Sequence, residues 1–182
     1  MLNTPNMLSI LRLCLVPVFV LLYFSGFANA NLYAVLVYVL ATFTDFLDGY
    51  LARRFHLTTN LGKVLDPLGD KMFTFAVLMC ITISRIVPFW VLWIFVAKEL
   101  MMGLGGLLIH RRAKVEIPPS NYIGKTATVL FFLVCAVLLL FRNISHGLAL
   151  GLVCVCLAVS LAAFVSYAGR FVKIMRKKDE GQ

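Results

Sequence analysis

Long apolar segments constrain this chain more than any other feature of its sequence. There are six of them, each close to the roughly 20 residues that a helix needs to cross a bilayer. They cover residues 7–25, 31–53, 66–84, 86–110, 122–142 and 147–169. Hydrophobic residues make up 62% of the chain and the mean hydropathy is +0.95, which is more apolar surface than a water-soluble core can bury. We predict an all-α, polytopic integral membrane protein with six transmembrane helices, forming a single domain over residues 1–182.

The basic residues predict the orientation in the membrane. The net charge is +9, but the 17 Lys and Arg do not gather on one face, as they would to bind nucleic acid. If the six segments cross the bilayer in turn, all of them except Arg85, Arg142 and the intramembrane Lys98 fall on one side. By the positive-inside rule this is the cytoplasmic side, and it holds both termini. We therefore expect a protein of the cell (inner) membrane that contacts membrane lipids and has no nucleic-acid partner.

The first apolar segment also resembles a cleavable signal peptide. Arg12 precedes an apolar run over residues 13–24, and Ala28-Asn29-Ala30 is similar to a cleavage site. Arg12 lies far from Met1 for the basic region of a signal peptide. We therefore expect this segment to remain as the first span.

Four of the eight acidic residues lie in one short window. Asp45 and Asp48 are three residues apart at the end of the second segment, so they share a helix face, and Asp66 and Asp70 do so at the start of the third. The basic stretch between the pairs is short, which forces an antiparallel return and brings the pairs together. Four converging carboxylates repel one another unless cations separate them. The sequence therefore predicts a metal site at the cytoplasmic boundary.

Carboxylate oxygens are the ligands that Mg²⁺ and Mn²⁺ prefer. Two such ions about 4 Å apart can clamp a diphosphate and stabilise a leaving phosphate. Gly49 and Gly62 place backbone without side chains beside the carboxylates, where a nucleotide could approach. We therefore expect two divalent ions, Mg²⁺ or Mn²⁺, as cofactors.

The acids belong to a pattern of eight fixed positions within 26 residues. It reads Asp45-x-x-Asp48-Gly49-x-x-Ala52-Arg53, eight residues, Gly62-x-x-x-Asp66-x-x-x-Asp70. This pattern resembles the full signature of the CDP-alcohol phosphotransferases, a family of six-helix, usually dimeric membrane enzymes. The family's amino-terminal stretch is similar to Pro5-Asn6-x-x-Ser9-x-x-Arg12. The branch with phosphatidylglycerophosphate synthase and the CDP-diacylglycerol-dependent cardiolipin synthases resembles Leu65-Asp66-Pro67-Leu68-Gly69-Asp70-Lys71.

The resemblance implies a reaction and a set of site residues. A phosphatidyl group would pass from CDP-diacylglycerol to an alcohol, CMP would leave, and the enzyme would be a homodimer. The metal ligands implied by position are Asp45, Asp48, Asp66 and Asp70. Asp70 would also be the general base that takes the proton of the acceptor hydroxyl. The implied nucleotide site has room for cytidine at Gly49, Ala52 and Gly62, and a phosphate contact at Arg53.

The acceptor alcohol is predicted from basic residues. A phosphorylated acceptor needs cations, and the candidates are Lys98, Arg111, Arg112 and Lys125. Lys98-Glu99 stands where relatives that use glycerol 3-phosphate carry an Arg-Glu pair, and Gly124-Lys125 is similar to their Gly-Lys. The alternative for Lys98 is a structural ion pair with Glu99.

Two positions depart from the glycerol 3-phosphate pattern, since Gly106 and Ala127 replace a further Arg and Lys. The stretch Pro118-Pro119-Ser120-x-x-x-Gly124-Lys125 is similar to the cardiolipin-synthase branch, whose acceptor is phosphatidylglycerol. We expect glycerol 3-phosphate as the acceptor, with phosphatidylglycerol as the alternative.

Three other functions compete with this interpretation. An intramembrane prenyltransferase also binds diphosphate through aspartates, but the spacing and the Gly-x-x-Ala-Arg element disfavour it. An ion or proton transporter would place acids near the midplane, whereas these lie at one boundary. A membrane scaffold that keeps the ligands without catalysis is the non-enzymatic alternative.

Overall fold

The computed structural model describes residues 4–54, 62–113 and 122–179, and its side chains are described for 7–47, 68–103, 124–166, 168 and 169. The described residues form six helices and no strand. The helices are α1 Thr4–Phe24, α2 Ala30–Arg54, α3 Gly62–Ile83, α4 Phe89–Ala113, α5 Tyr122–Leu140 and α6 His146–Asp179. Each predicted apolar segment corresponds to one helix. The all-α prediction is therefore confirmed.

Three of these helices are long and apolar enough to cross a membrane, judged on the described residues. The stretches are Met7–Phe24 in α1, Ala30–Leu47 in α2 and His146–Ser166 in α6, and Gly124–Leu140 in α5 is apolar but shorter. Charged residues interrupt the other two helices, Asp66, Asp70 and Lys71 in α3 and Lys98 and Glu99 in α4. The prediction of six transmembrane helices is therefore supported for three helices and stays a prediction for the rest.

The chain divides into two compact units. The first is Met1–Ile86 with Cys135–Asn143, and the second is Val87–Val134 with Ile144–Gln182. Packing units of this kind do not test the expected single domain over residues 1–182, which stays a prediction.

In the first unit, α1 packs against both α2 and α3. The buried residues of α2 follow a helical period and are small except for one tyrosine: Ala30, Ala34, Tyr38, Ala41 and Thr44. Small residues let α1 approach the α2 backbone closely. An aromatic cluster joins the three helices, because the Phe73 ring lies 5.5 Å from Phe19 and is stacked 6.0 Å from Tyr38.

Arg142 closes the end of the first unit where α1 finishes. Its guanidinium donates to the Asn31 side-chain oxygen at 2.9 Å and to the Tyr23 carbonyl at 3.1 Å. It also lies 4.1 Å from the centre of the Tyr23 ring. The Tyr23 hydroxyl donates to Ser84 just beyond α3, at 3.0 Å. Buried and half-buried polar groups therefore satisfy one another at this end.

In the second unit, α4 contacts α6, and the Phe95 ring of α4 is stacked 5.0 Å from Phe131 of α5. Val91, Leu92 and Phe95 form the buried side of α4. Large apolar side chains such as Trp93, which is 68% exposed, lie outside the packed surface, as expected of a helix that faces lipid.

Candidate active site

The first pair of predicted metal ligands lies near the end of α2. Asp45 and Asp48 both belong to this helix, which continues to Arg54, so they are about one turn apart on a shared face. Asp45 follows the buried series on α2 by one further turn after Ala41. Its side chain is half-buried and 43% exposed. The packing of α2 on α1 therefore fixes the side of the helix from which Asp45 projects.

The second pair lies in the first turns of α3. Because α3 begins at Gly62, Asp66 lies inside the helix, which starts four residues before the predicted apolar segment at 66–84. Pro67 follows Asp66 early in α3 and removes only one backbone hydrogen bond, to the carbonyl of residue 63. The earlier start keeps Asp66 and Asp70 one turn apart on one helix face.

The aromatic cluster sets the two pairs at the same level. Asp45 lies seven residues after Tyr38, and Asp66 lies seven residues before Phe73, whose ring stacks on Tyr38. Seven residues are two turns, or roughly 10 Å along a helix axis. Since α2 leads into the short connection and α3 returns from it, both displacements run in the same direction. The backbone positions of the two pairs therefore lie at one end of the first unit.

Arg12 of α1 lies between the two helices at this level. Its Nη1 atom is 2.6 Å from Oδ1 of Asp45, and the Arg12 side chain is 2% exposed. On the α3 side, a Cβ atom placed on Gly69 would lie 3.9 Å from the same Nη1 atom. Gly69 directly precedes Asp70. The guanidinium therefore contacts Asp45 of the first pair and lies close to Gly69, the residue before Asp70 of the second pair.

In the sequence, Arg12 is one of the cytoplasmic basic residues and part of the stretch that resembles the family's amino terminus, but its contact with Asp45 is not predicted. One signal was present, because an Arg inside an apolar segment is costly and marks a functional candidate. Ser9, one turn before it, is also buried. The partner of Arg12 on another helix depends on how α1 packs against α2, and the spacing of residues within α1 does not predict this packing.

The remaining predicted site residues of this unit are described only in part. Asp70 is exposed, as a ligand open to a substrate would be. The side chains outside the described ones are those of Asp48, Gly49, Ala52, Arg53, Gly62 and Asp66. Among the side chains that are described, no three His, Cys, Asp or Glu gather as a metal site would require. Two of the four predicted ligands are missing from that set, so the metal site stays a prediction.

The donor chemistry of the described carboxylates fits Mg²⁺ or Mn²⁺. Asp45 uses Oδ1 for Arg12 and keeps nearly half of its surface accessible, and Asp70 is exposed. Hard divalent ions take one or two carboxylates together with water and substrate phosphate. Both acids are therefore accessible to such an ion.

The predicted acceptor residues lie in the second unit. Lys98 Nζ is 2.7 Å from Oε1 of Glu99 and 4.8 Å from the Phe95 ring centre, and both charged side chains are mostly buried. The structure thus shows the ion pair that was one of the two alternatives for Lys98. Lys125 is exposed, while Arg111 and Arg112 lie in α4 with side chains outside the described ones. Their role in acceptor binding stays a prediction.

Comparison with known proteins gives the family of the chain. The family model for CDP-alcohol phosphatidyltransferase matches residues 2–165. A "CDP-diacylglycerol--glycerol-3-phosphate 3-phosphatidyltransferase" of Rickettsia bellii is 36% identical, over 83% of this chain and 82% of the relative. A protein of the same name from Bacillus subtilis is 30% identical, over 70% of this chain and 72% of the relative. A "Cardiolipin synthase (CMP-forming)" of Streptomyces coelicolor is 37% identical, over 70% of this chain and 60% of the relative. With the family model covering most of its length, the chain belongs to the CDP-alcohol phosphatidyltransferase family.

Proposed function

We propose that this protein transfers the phosphatidyl group of CDP-diacylglycerol to glycerol 3-phosphate and releases CMP. The observation that carries the proposal is the placement of the two aspartate pairs at one end of the first unit, with Arg12 in contact with Asp45 and adjoining Gly69. Relatives that are 30% and 36% identical bear the name of this activity, which supports the choice of acceptor.

The four aspartates, Asp45, Asp48, Asp66 and Asp70, would hold two Mg²⁺ or Mn²⁺ ions. Bound ions of this kind neutralise a diphosphate and make the nucleotide a better leaving group. Gly49, Ala52 and Gly62 would leave space for the cytidine nucleotide, and Arg53 would contact its phosphates. In this scheme the residues of the chain mainly position the reactants and stabilise the charge of the transition state. These two effects supply most of the catalysis in phosphoryl transfer.

Asp70 is proposed as the general base. The acceptor oxygen attacks the phosphorus of the phosphatidyl group, the bond from that phosphorus to the CMP oxygen breaks, and the acceptor proton passes to the Asp70 carboxylate. The exposure of Asp70 supports this role, because a base must reach the hydroxyl of a bound acceptor.

Lys98 is one of the cations proposed to bind the phosphate of the acceptor. An ammonium has three N–H donors, and the contact with Glu99 uses one direction, so Lys98 can still donate to a phosphate. Because Glu99 offsets its charge, we assign part of the phosphate binding to Arg111, Arg112 and Lys125.

The second candidate activity is cardiolipin synthesis with phosphatidylglycerol as acceptor. It is favoured by the Streptomyces coelicolor relative, whose 37% identity is similar to that of the glycerol 3-phosphate relatives. The donor chemistry would be the same, and only the acceptor would differ.

The protein is proposed to lie in the inner membrane as a homodimer with six spans and both termini in the cytoplasm. The three apolar helices and the distribution of Lys and Arg support this arrangement. The active site would face the cytoplasm, where glycerol 3-phosphate and CDP-diacylglycerol headgroups are accessible.

Matched acceptor assays test the proposed activity. Purified protein with CDP-diacylglycerol and Mn²⁺ would receive glycerol 3-phosphate or phosphatidylglycerol, with CMP and lipid products measured together. We expect CMP and phosphatidylglycerophosphate from the first acceptor. Cardiolipin from the second acceptor, without phosphatidylglycerophosphate from the first, would reverse the choice. If no CMP is released with either acceptor, the transporter or scaffold alternatives would be favoured.

A further inference from the structure

Arg12 is a buried cation beside the candidate metal site, and the family signature over residues 45–70 does not include it. Its side chain is 2% exposed, whereas its partner Asp45 is 43% exposed. A substrate or ion that approaches from outside can therefore contact Asp45 but not Arg12. Any effect of Arg12 on the site must be transmitted through the carboxylate that it touches.

We propose that Arg12 is a positioning residue that orients the Asp45 carboxylate for a divalent ion before the ion binds. This inference rests on the metal site in the proposed function. The 2.6 Å contact between Nη1 and Oδ1 restrains one carboxylate oxygen, while 43% of the Asp45 side chain stays exposed. Outer partners of metal ligands fix the orientation of the ligand and support metal affinity, and the ion pair of Arg12 with Asp45 can act in this way.

The packing of α3 holds the guanidinium in place. A Cβ atom at Gly69 would lie 3.8 Å from Cδ and 3.9 Å from Nη1 of Arg12, and 3.6 Å from the Ser9 carbonyl oxygen. A single methyl group would fit in ordinary contact, but a longer side chain would displace Arg12. Gly69 therefore packs close to Arg12 and to the α1 backbone without crowding the guanidinium.

The charge of Arg12 gives the arrangement a second effect. In the metal-free protein, four carboxylates at one end of the unit would repel one another. Arg12 places one fixed positive charge against Asp45, which offsets part of this repulsion and holds the carboxylate in place before the ion binds. Without Arg12 the Asp45 carboxylate would be free to rotate, and this loss of orientation should weaken ion binding even where the protein still folds.

The test is Mn²⁺ binding to the purified full-length protein without substrate, measured by calorimetry and by the spin-resonance signal of free Mn²⁺. Arg12→Gln should raise the Mn²⁺ dissociation constant about 10- to 100-fold. Arg12→Lys keeps the buried charge and should fall between Arg12→Gln and the wild type. Arg85→Gln, which removes an exposed charge in the same unit, is the matched control and should bind as the wild type does.

A double-mutant cycle separates positioning from a structural role. If Arg12 acts through Asp45, adding Arg12→Gln to Asp45→Asn should change the dissociation constant by less than about twofold. The inference would be overturned if Arg12→Gln changed the Mn²⁺ dissociation constant by the same factor in the wild type and in Asp45→Asn. It would also be overturned if Arg12→Gln and Arg12→Lys both bound Mn²⁺ as tightly as the wild type. If Arg12→Gln does not fold, the same comparison is made with Arg12→Lys.

Further results distinguish this inference from the proposed function on which it rests. If Arg12 positions a ligand, turnover of Arg12→Gln should recover as Mn²⁺ is raised, which a misfolded site would not show. If the wild type binds no Mn²⁺, or Asp48→Asn binds it as tightly, the metal site itself is wrong and the inference is overturned with it. Tight binding by the wild type with no change in the Arg12 variants overturns the inference alone.

Discussion

At the scale of residues, single carboxylates are expected to control the reaction. Asp66→Asn keeps the size of the side chain but removes the charge that a divalent ion requires. We expect CMP release to fall by at least about 100-fold while the folded protein remains extractable in detergent. CMP release from CDP-diacylglycerol at saturating Mg²⁺ measures the effect.

The control for this prediction is Asp179→Asn, which changes an acid at the end of α6. It should release CMP at the wild-type rate. Near-normal activity in Asp66→Asn, or in the wild type after chelation of divalent ions, would contradict the two-metal site.

Lys98 provides a second prediction at the residue scale. Lys98→Gln removes the ammonium that lies 2.7 Å from Glu99 and leaves the aspartates unchanged. We expect the KM for glycerol 3-phosphate to rise about 10-fold or more, because hydrogen bonds from charged groups are the strong ones. The KM for CDP-diacylglycerol should stay within about twofold of the wild type.

Lys98→Arg serves as the matched variant, since it keeps a cation beside Glu99. It should retain most of the affinity for glycerol 3-phosphate. A parallel rise in the KM values of both substrates would instead indicate that the ion pair of Lys98 and Glu99 supports the structure of the second unit.

At the scale of elements, Arg142 joins the end of α1 to the start of α2. It donates to the Tyr23 carbonyl and to Asn31, and its guanidinium lies over the Tyr23 ring. Arg142→Ala removes all three contacts and leaves two half-buried acceptors without this donor. We expect a loss of about 2–4 kcal/mol in stability. A thermal scan in detergent should show a midpoint lower by more than about 4 °C.

Arg85→Ala is the control for this loss, because Arg85 is exposed in the same unit. It should change the midpoint by less than about 2 °C, as surface substitutions generally do. An equal decrease in the two variants would show that overall charge, and not the contacts of Arg142, stabilises this end.

At the scale of the whole molecule, six spans place the connections alternately on the two sides of the membrane. Reporter fusions at Gly26, Arg85 and His146 should report the outside, since nearly all Lys and Arg then lie on the opposite side. A fusion at Gln182 should report the cytoplasm. An inside signal at any of the first three positions would contradict the proposed topology.

The class of the protein follows from local features of its sequence. Apolar segments of spanning length predicted the helices. An apolar residue is favourable either in a packed core or in contact with lipid, so this signal does not depend on which helices are neighbours. The spacing of Asp45, Asp48, Asp66 and Asp70 predicted which acids share a helix face, since helical periodicity is local. The same signature indicated the family that the comparisons confirm. The helix α3 begins four residues before the apolar segment at 66–84, because an apolar segment indicates that a helix is present and does not fix its first residue.

The contacts between residues of different helices depend on how the helices pack. The stacking of Tyr38 on Phe73 sets the level of the two aspartate pairs, and the contact of Arg12 with Asp45 joins residues that lie 33 positions apart. Spacing along one helix cannot contain such contacts, because they depend on which faces pack together and on small residues such as Gly69 that permit the approach. The local periodicity of the sequence therefore fixes the faces of the helices, and their packing fixes the partners.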